Sequence, residues 1–65
     1  MNGADRINEP DLARIRSLID RIGWPMARDL VVAVTSIDRR DLLHHMTHRE
    51  AATVKVALAV MAGDG

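Results

Sequence analysis

Leu30-Val31-Val32-Ala33-Val34 is the stretch on which the fold turns. Its β-branched valines favour extended backbone by propensity. A strand, however, needs a second strand to satisfy its backbone N–H and C=O groups. No partner strand is offered elsewhere in the chain, so the stretch is predicted to be a buried helix. Working backwards, Trp24-Pro25 restarts the chain, with proline pre-set for a first helical turn. Met26, Leu30, Val31, Val34 and Ile37 are then expected to form the apolar stripe of this second helix.

Further back, Asn8-Glu9-Pro10-Asp11 carries the signals of a helix start. Asn8 can cap, and the two carboxylates suit the positive end of the helix dipole. Leu12, Ile15, Leu18, Ile19 and Ile22 follow on one face of a 3.6-residue period. Gly23 supplies a residue that can turn left-handed and stop the helix. Forwards from Val34, Thr35-Ser36 breaks the second helix. Ser36 or Asp38 is then expected to cap a short third helix holding Leu42, Leu43 and Met46. Thr47-His48-Arg49-Glu50 has the spacing of a capping box, in which each side chain satisfies the other residue's orphan N–H. The last helix should run from His48 to about Ala62. Ala51, Val54, Leu58 and Met61 would face inward, with Ala57 and Val60 widening that face.

The fold class is therefore all-α: a compact bundle of three longer helices plus one short helix. A single domain is expected over residues 9–62, with a flexible lead-in over 1–8 and a flexible end over 63–65. Sixty-five residues allow no more than this, and a chain so short buries only about 60% of its unfolded surface. Such a core seldom supplies more than about 3–5 kcal/mol unaided, which makes an oligomer or partner interface a reasonable expectation.

Composition narrows the function. There is no cysteine, so disulfides, thiolate zinc sites and cysteine nucleophiles are excluded. Nine basic and nine acidic side chains cancel, and the pI near 6.8 advertises no global attraction to nucleic acid or membrane. Eight of the nine basic residues are arginine, a usage that resembles GC-rich bacteria and their phages. The first residues lack a basic region followed by an apolar run, and no apolar run approaches the roughly 20 residues of a spanning helix. A cytoplasmic protein with no membrane partner is the expectation.

Few residues suggest chemistry. His44 and His48 would share a face on one continuous helix, as a pair of zinc ligands must. The capping box instead puts His44 and His45 at the end of one helix and His48 at the start of the next. There, imidazolium is simply favoured by a helix C-terminus, so no metal site and no cofactor is expected. Ser17 and Ser36 lack the setting of a nucleophile, and the carboxylates alternate with arginines as solvated ion pairs do. No catalytic residue and no small-molecule substrate is expected. Trp24 lies at a corner between helices, and Val32 and Val56 are left over once the core stripes are drawn. These three are the expected partner-facing residues, for a protein partner or a homodimer. The alternative is a helix-turn-helix DNA-binding protein of the transcriptional-regulator kind, in which Arg39, Arg40, His48, Arg49 and Thr53 would contact DNA.

One resemblance bears on this choice. It is carried by Ile15-Arg16-Ser17-Leu18-Ile19-Asp20-Arg21-Ile22-Gly23-Trp24, by Arg28-Asp29-Leu30, by Asp41-Leu42-Leu43, and by Met46-Thr47-His48-Arg49-Glu50-Ala51-Ala52 with Leu58. Together these resemble the small C-terminal helical module of phage recombination-associated proteins, the single-strand annealing proteins of the RecT/Erf type. Met46 stands where that module carries leucine, while Thr47, Glu50 and Ala51 match. The resemblance implies an accessory, protein-binding role near DNA metabolism, with no catalytic residue to carry over.

Overall fold

The chain is described by a computed structural model over residues 6–63. Helix α1 (Glu9–Ile22) begins as its sequence demands: the Asn8 side-chain oxygen accepts from the Asp11 backbone N–H at 3.0 Å. It ends at Gly23, whose φ of 100° is open to glycine and strained for other residues. The Gly23 N–H donates to the Ile19 carbonyl at 2.7 Å, and its own carbonyl accepts from Ala27 N–H at 3.0 Å. One residue therefore closes α1 and opens α2 (Trp24–Thr35), with Pro25 in the first turn. Leu30 to Val34 is helical throughout, and among the described residues there is no strand.

Beyond α2 the chain runs through residues 36–39 into a 3-10 helix (Arg40–His45), then through Met46 and Thr47 into α3 (His48–Met61). The capping box is fully made. Thr47 Oγ1 accepts from Glu50 N–H at 3.1 Å, and Glu50 Oε1 accepts from Thr47 N–H at 2.9 Å. Helix α3 packs chiefly on α1 and also on α2. The radius of gyration, 10.8 Å, sits beside about 10.7 Å expected for a globule of this length. An all-α bundle of three longer helices and one short one is thus the architecture.

The core is aliphatic. Leu12, Ile15, Leu18 and Ile19 from α1 meet Ala27 and Val31 from α2, Leu43 and Met46 from the connector, and Ala51, Val54 and Leu58 from α3. Three positions differ from expectation. Met26 is 62% exposed, because Ala27 and Val31 are the residues that face α1 and α3, with Leu30 and Val34 half-buried beside them. Met61 and Val60 are also exposed. The inner stripe of α3 advances by three, four and four residues, from Ala51 through Val54 and Leu58 to a half-buried Ala62. Its average of about 3.7 residues per turn leaves Met61 outside.

Ser36 and Asp38 do not cap the short helix. Arg39 stands at its N-cap without a side-chain hydrogen bond. Ser36 instead terminates α2 in a left-handed conformation, φ 65°, with its N–H on the Val32 carbonyl at 2.9 Å. Thr35 secures the exit by donating to the Val31 carbonyl and accepting from Ile37 N–H. A left-handed conformation costs a residue with a Cβ roughly 1–2 kcal/mol. Ser36→Gly should therefore raise stability by about 0.5–1 kcal/mol, while Ser36→Val should lower it. Urea unfolding of the two variants reads the opposite signs, and shifts of the same sign would count against this backbone.

At the N-terminal side, Arg6 to Asn8 belong to the folded unit. Arg6 forms an isolated antiparallel bridge with Thr47, Ile7 N–H donates to the Met46 carbonyl at 3.1 Å, and Ile7 packs half-buried against the core. The rest of the expected lead-in, residues 1–5, and residues 64–65 of the expected flexible end lie outside the described residues. Among the described residues no helix is long and apolar enough to cross a membrane.

Candidate functional site

The run from Ala51 to Ala62 contains one charged residue, Lys55. A helix so uniformly apolar is normally covered on all sides, yet α3 buries only the stripe of Ala51, Val54 and Leu58. The one charge of this run is turned toward α1: Lys55 Nζ reaches Asp11 Oδ1 at 2.7 Å, with the Asp11 side chain 19% exposed. His48 Nδ1 approaches the other oxygen of the same carboxylate at 3.9 Å. Lys55 and His48 thus lie on the flank beside Asp11, and between Ala51 and Ala62 the outer side of α3 carries no charge.

That flank is the candidate site. Ala52, Thr53, Val56 and Val60 are exposed along one side of α3, Val56 by 67% and Val60 by 65%. Ala52, Thr53, Val56 and Ala57 line a shallow open hollow on it. Arg49 stands at its N-terminal end, exposed and with no carboxylate partner among the described residues. Small side chains at Ala52 and Ala57 beside the branched valines give a ridge-and-hollow relief into which another helix can settle. Single exposed aliphatics are ordinary, but a contiguous uncharged strip is what an interaction surface looks like.

The expected partner-facing residues are not brought together as one patch. Val56 is at the centre of the exposed strip. Val32 is half-buried on α2, and Trp24, at the start of α2, is half-buried against the rim of the core. Ala52, Ala57 and Val60 were not among the expected contact residues. Their signal was present in the absence of charge from Ala51 to Ala62, once Lys55 is recognised as pairing inward.

The residues of the DNA-binding alternative divide into two groups. Arg39 lies bidentate on Asp41, at 3.2 and 3.1 Å, and Arg40 pairs with Asp20 across from α1. Both pairs are exposed and each cation is locally neutralised. His48, Arg49 and Thr53 do share the exposed start of α3. The segment preceding α3 is a 3-10 helix separated from it by Met46 and Thr47 alone, a tighter join than the three- to four-residue turn usual in a helix-turn-helix. His44 and His45 touch with ring centroids 4.3 Å apart and planes tilted by 44°, while His48 belongs to the next element. Among the described residues no group of three or more His, Asp or Glu is placed to hold a metal ion.

No model of a known protein family, no curated protein and no solved structure matches this chain.

Proposed function

We propose that this protein is a non-enzymatic helical interaction module that docks through the outer face of α3, on a partner protein or on a second copy. The observation that carries this reading is the uncharged strip from Ala52 to Val60 on a helix whose only mid-helix charge is committed to Asp11. The titratable side chains support it as well: those described lie at least partly in solvent, and none sits in the desolvated setting that tunes catalytic groups. The resemblance described above implies an accessory role near DNA metabolism, and the arginine-rich usage suits a bacterial or phage protein of the cytoplasm.

A photo-crosslinking residue at Val60 should capture a protein in cells, and the same residue at exposed Ala13 on α1 should not. Val56→Asp should abolish the capture without loss of helicity. Equal capture at both sites, or capture indifferent to Val56→Asp, would overturn the reading.

The second reading, contact with DNA, is favoured only by His48, Arg49 and Thr53 at the exposed start of α3. It requires saturable duplex binding that weakens with salt and falls further in Arg49→Ala. The interaction-module reading expects no such binding at about 10 μM protein, an affinity range within reach of even sequence-independent DNA binders.

A further inference from the structure

We propose that the occupant of the α3 outer face is a second copy of the same face, packed antiparallel about a two-fold axis through Val56. This rests on the docking role proposed above and names its partner. Two observations point to it, and a third sets its strength. The first is register. In an antiparallel pair centred on Val56, Ala52 of one copy lies opposite Val60 of the other, and Val56 meets Val56. Small therefore faces large at both off-axis positions, which is how facing helix surfaces interdigitate. The relation is also its own inverse, as a two-fold interface requires.

The second is charge. Ala52, Thr53, Val56 and Val60 are uncharged, Lys55 beside them is paired with Asp11 of its own chain, and the chain as a whole is neutral, so no unpaired like charges face each other across the strip. Arg49 stands at the positive end of α3, while the last turn of α3 holds no basic residue to offset its negative end. Antiparallel packing brings Arg49 of each copy to the other's C-terminal carbonyls. Parallel packing would instead set Arg49 against Arg49 and align like dipole ends.

The third is area. A standard interface covers roughly 800 Å² per partner, about a fifth of the 4069 Å² this chain exposes. A helix of 14 residues, about 21 Å long, offers less than that on one face. The dimer should therefore be weak and reversible, with a dissociation constant on the order of 100 μM.

Sedimentation equilibrium on the purified chain, from about 10 μM to about 1 mM, spans that constant. The apparent mass should climb toward twice the monomer value, and Val56→Glu should hold it at the monomer with unchanged circular dichroism. Orientation is read by cysteine cross-linking, clean in a chain without native cysteine. Val56→Cys should form a disulfide dimer under mild oxidation. Val60→Cys should not, because in the antiparallel register its two sulfurs lie about 12 Å apart along the axis, beyond disulfide reach. A monomer at the highest concentration overturns self-pairing, and equal cross-linking at the two sites overturns the antiparallel arrangement. If the chain is monomeric while the Val60 photo-capture persists, self-pairing fails and the docking reading stands. If both are lost, both readings fall.

Discussion

Leu58→Ala should leave the chain largely unfolded at room temperature. Leu58 is fully buried on α3, the helix that packs on both others, and its side chain belongs to the one aliphatic cluster the domain possesses. Truncating a buried leucine costs about 2–5 kcal/mol, made up of lost transfer energy and the cavity left behind. A domain of this size holds only about 3–5 kcal/mol in total, so one substitution removes most of the margin. The check is far-UV circular dichroism with urea unfolding, alongside Val60→Ala two residues away. Val60 is 65% exposed, and its truncation should change stability by less than about 0.5 kcal/mol. Similar effects from the two variants would contradict this phase of α3, and with it the location of the proposed docking face.

Thr47→Ala should lower stability by about 1–2 kcal/mol, the upper range for an N-cap. The residue acts at a junction. Its hydroxyl satisfies Glu50 N–H, its own N–H is satisfied by Glu50, and its backbone pairs with Arg6 beside the Ile7–Met46 hydrogen bond. Loosening the first turn of α3 therefore also loosens the N-terminal segment. A loss of this size lowers the melting temperature by roughly 4–8 °C per kcal/mol in a domain so small. Amide exchange should accelerate at Glu50 and Ile7 together, while Thr47→Ser, which keeps the accepting oxygen, should change little. If Ile7 keeps its protection in Thr47→Ala, the coupling between these segments is absent.

Much of the fold was legible because it is written in local chemistry. The Asn8 cap, the Gly23 stop, Pro25 in a first turn and the Thr47–Glu50 box each act within a few residues, so their spacing alone located α1, α2 and α3. The valines at 31, 32 and 34 also read correctly, since a strand without a partner cannot satisfy its backbone. Phase was less legible. Nothing local distinguishes Met26 from Ala27, or Met61 from Ala62, as the inward residue. The neighbouring helix decides, and it takes the small alanines where backbones approach and leaves the methionines outside.

Two residues of the exposed strip stood out in the sequence, Val56 as a leftover aliphatic and Thr53 under the DNA-binding alternative, while Ala52 and Val60 did not. Sequence by itself determined that this is a small helical bundle with balanced charge and more aliphatic side chains than its stripes can bury. Tertiary structure alone decided where the excess goes. Asp11 at the start of α1 lies 44 residues from Lys55, yet the two are in contact, so the one charge between Ala51 and Ala62 is held against α1. The outer face is bare because packing on α1 and α2 buries Ala51, Val54 and Leu58 and so turns Ala52, Val56 and Val60 outward, and a helix's phase against its neighbours is set by residues distant in the chain.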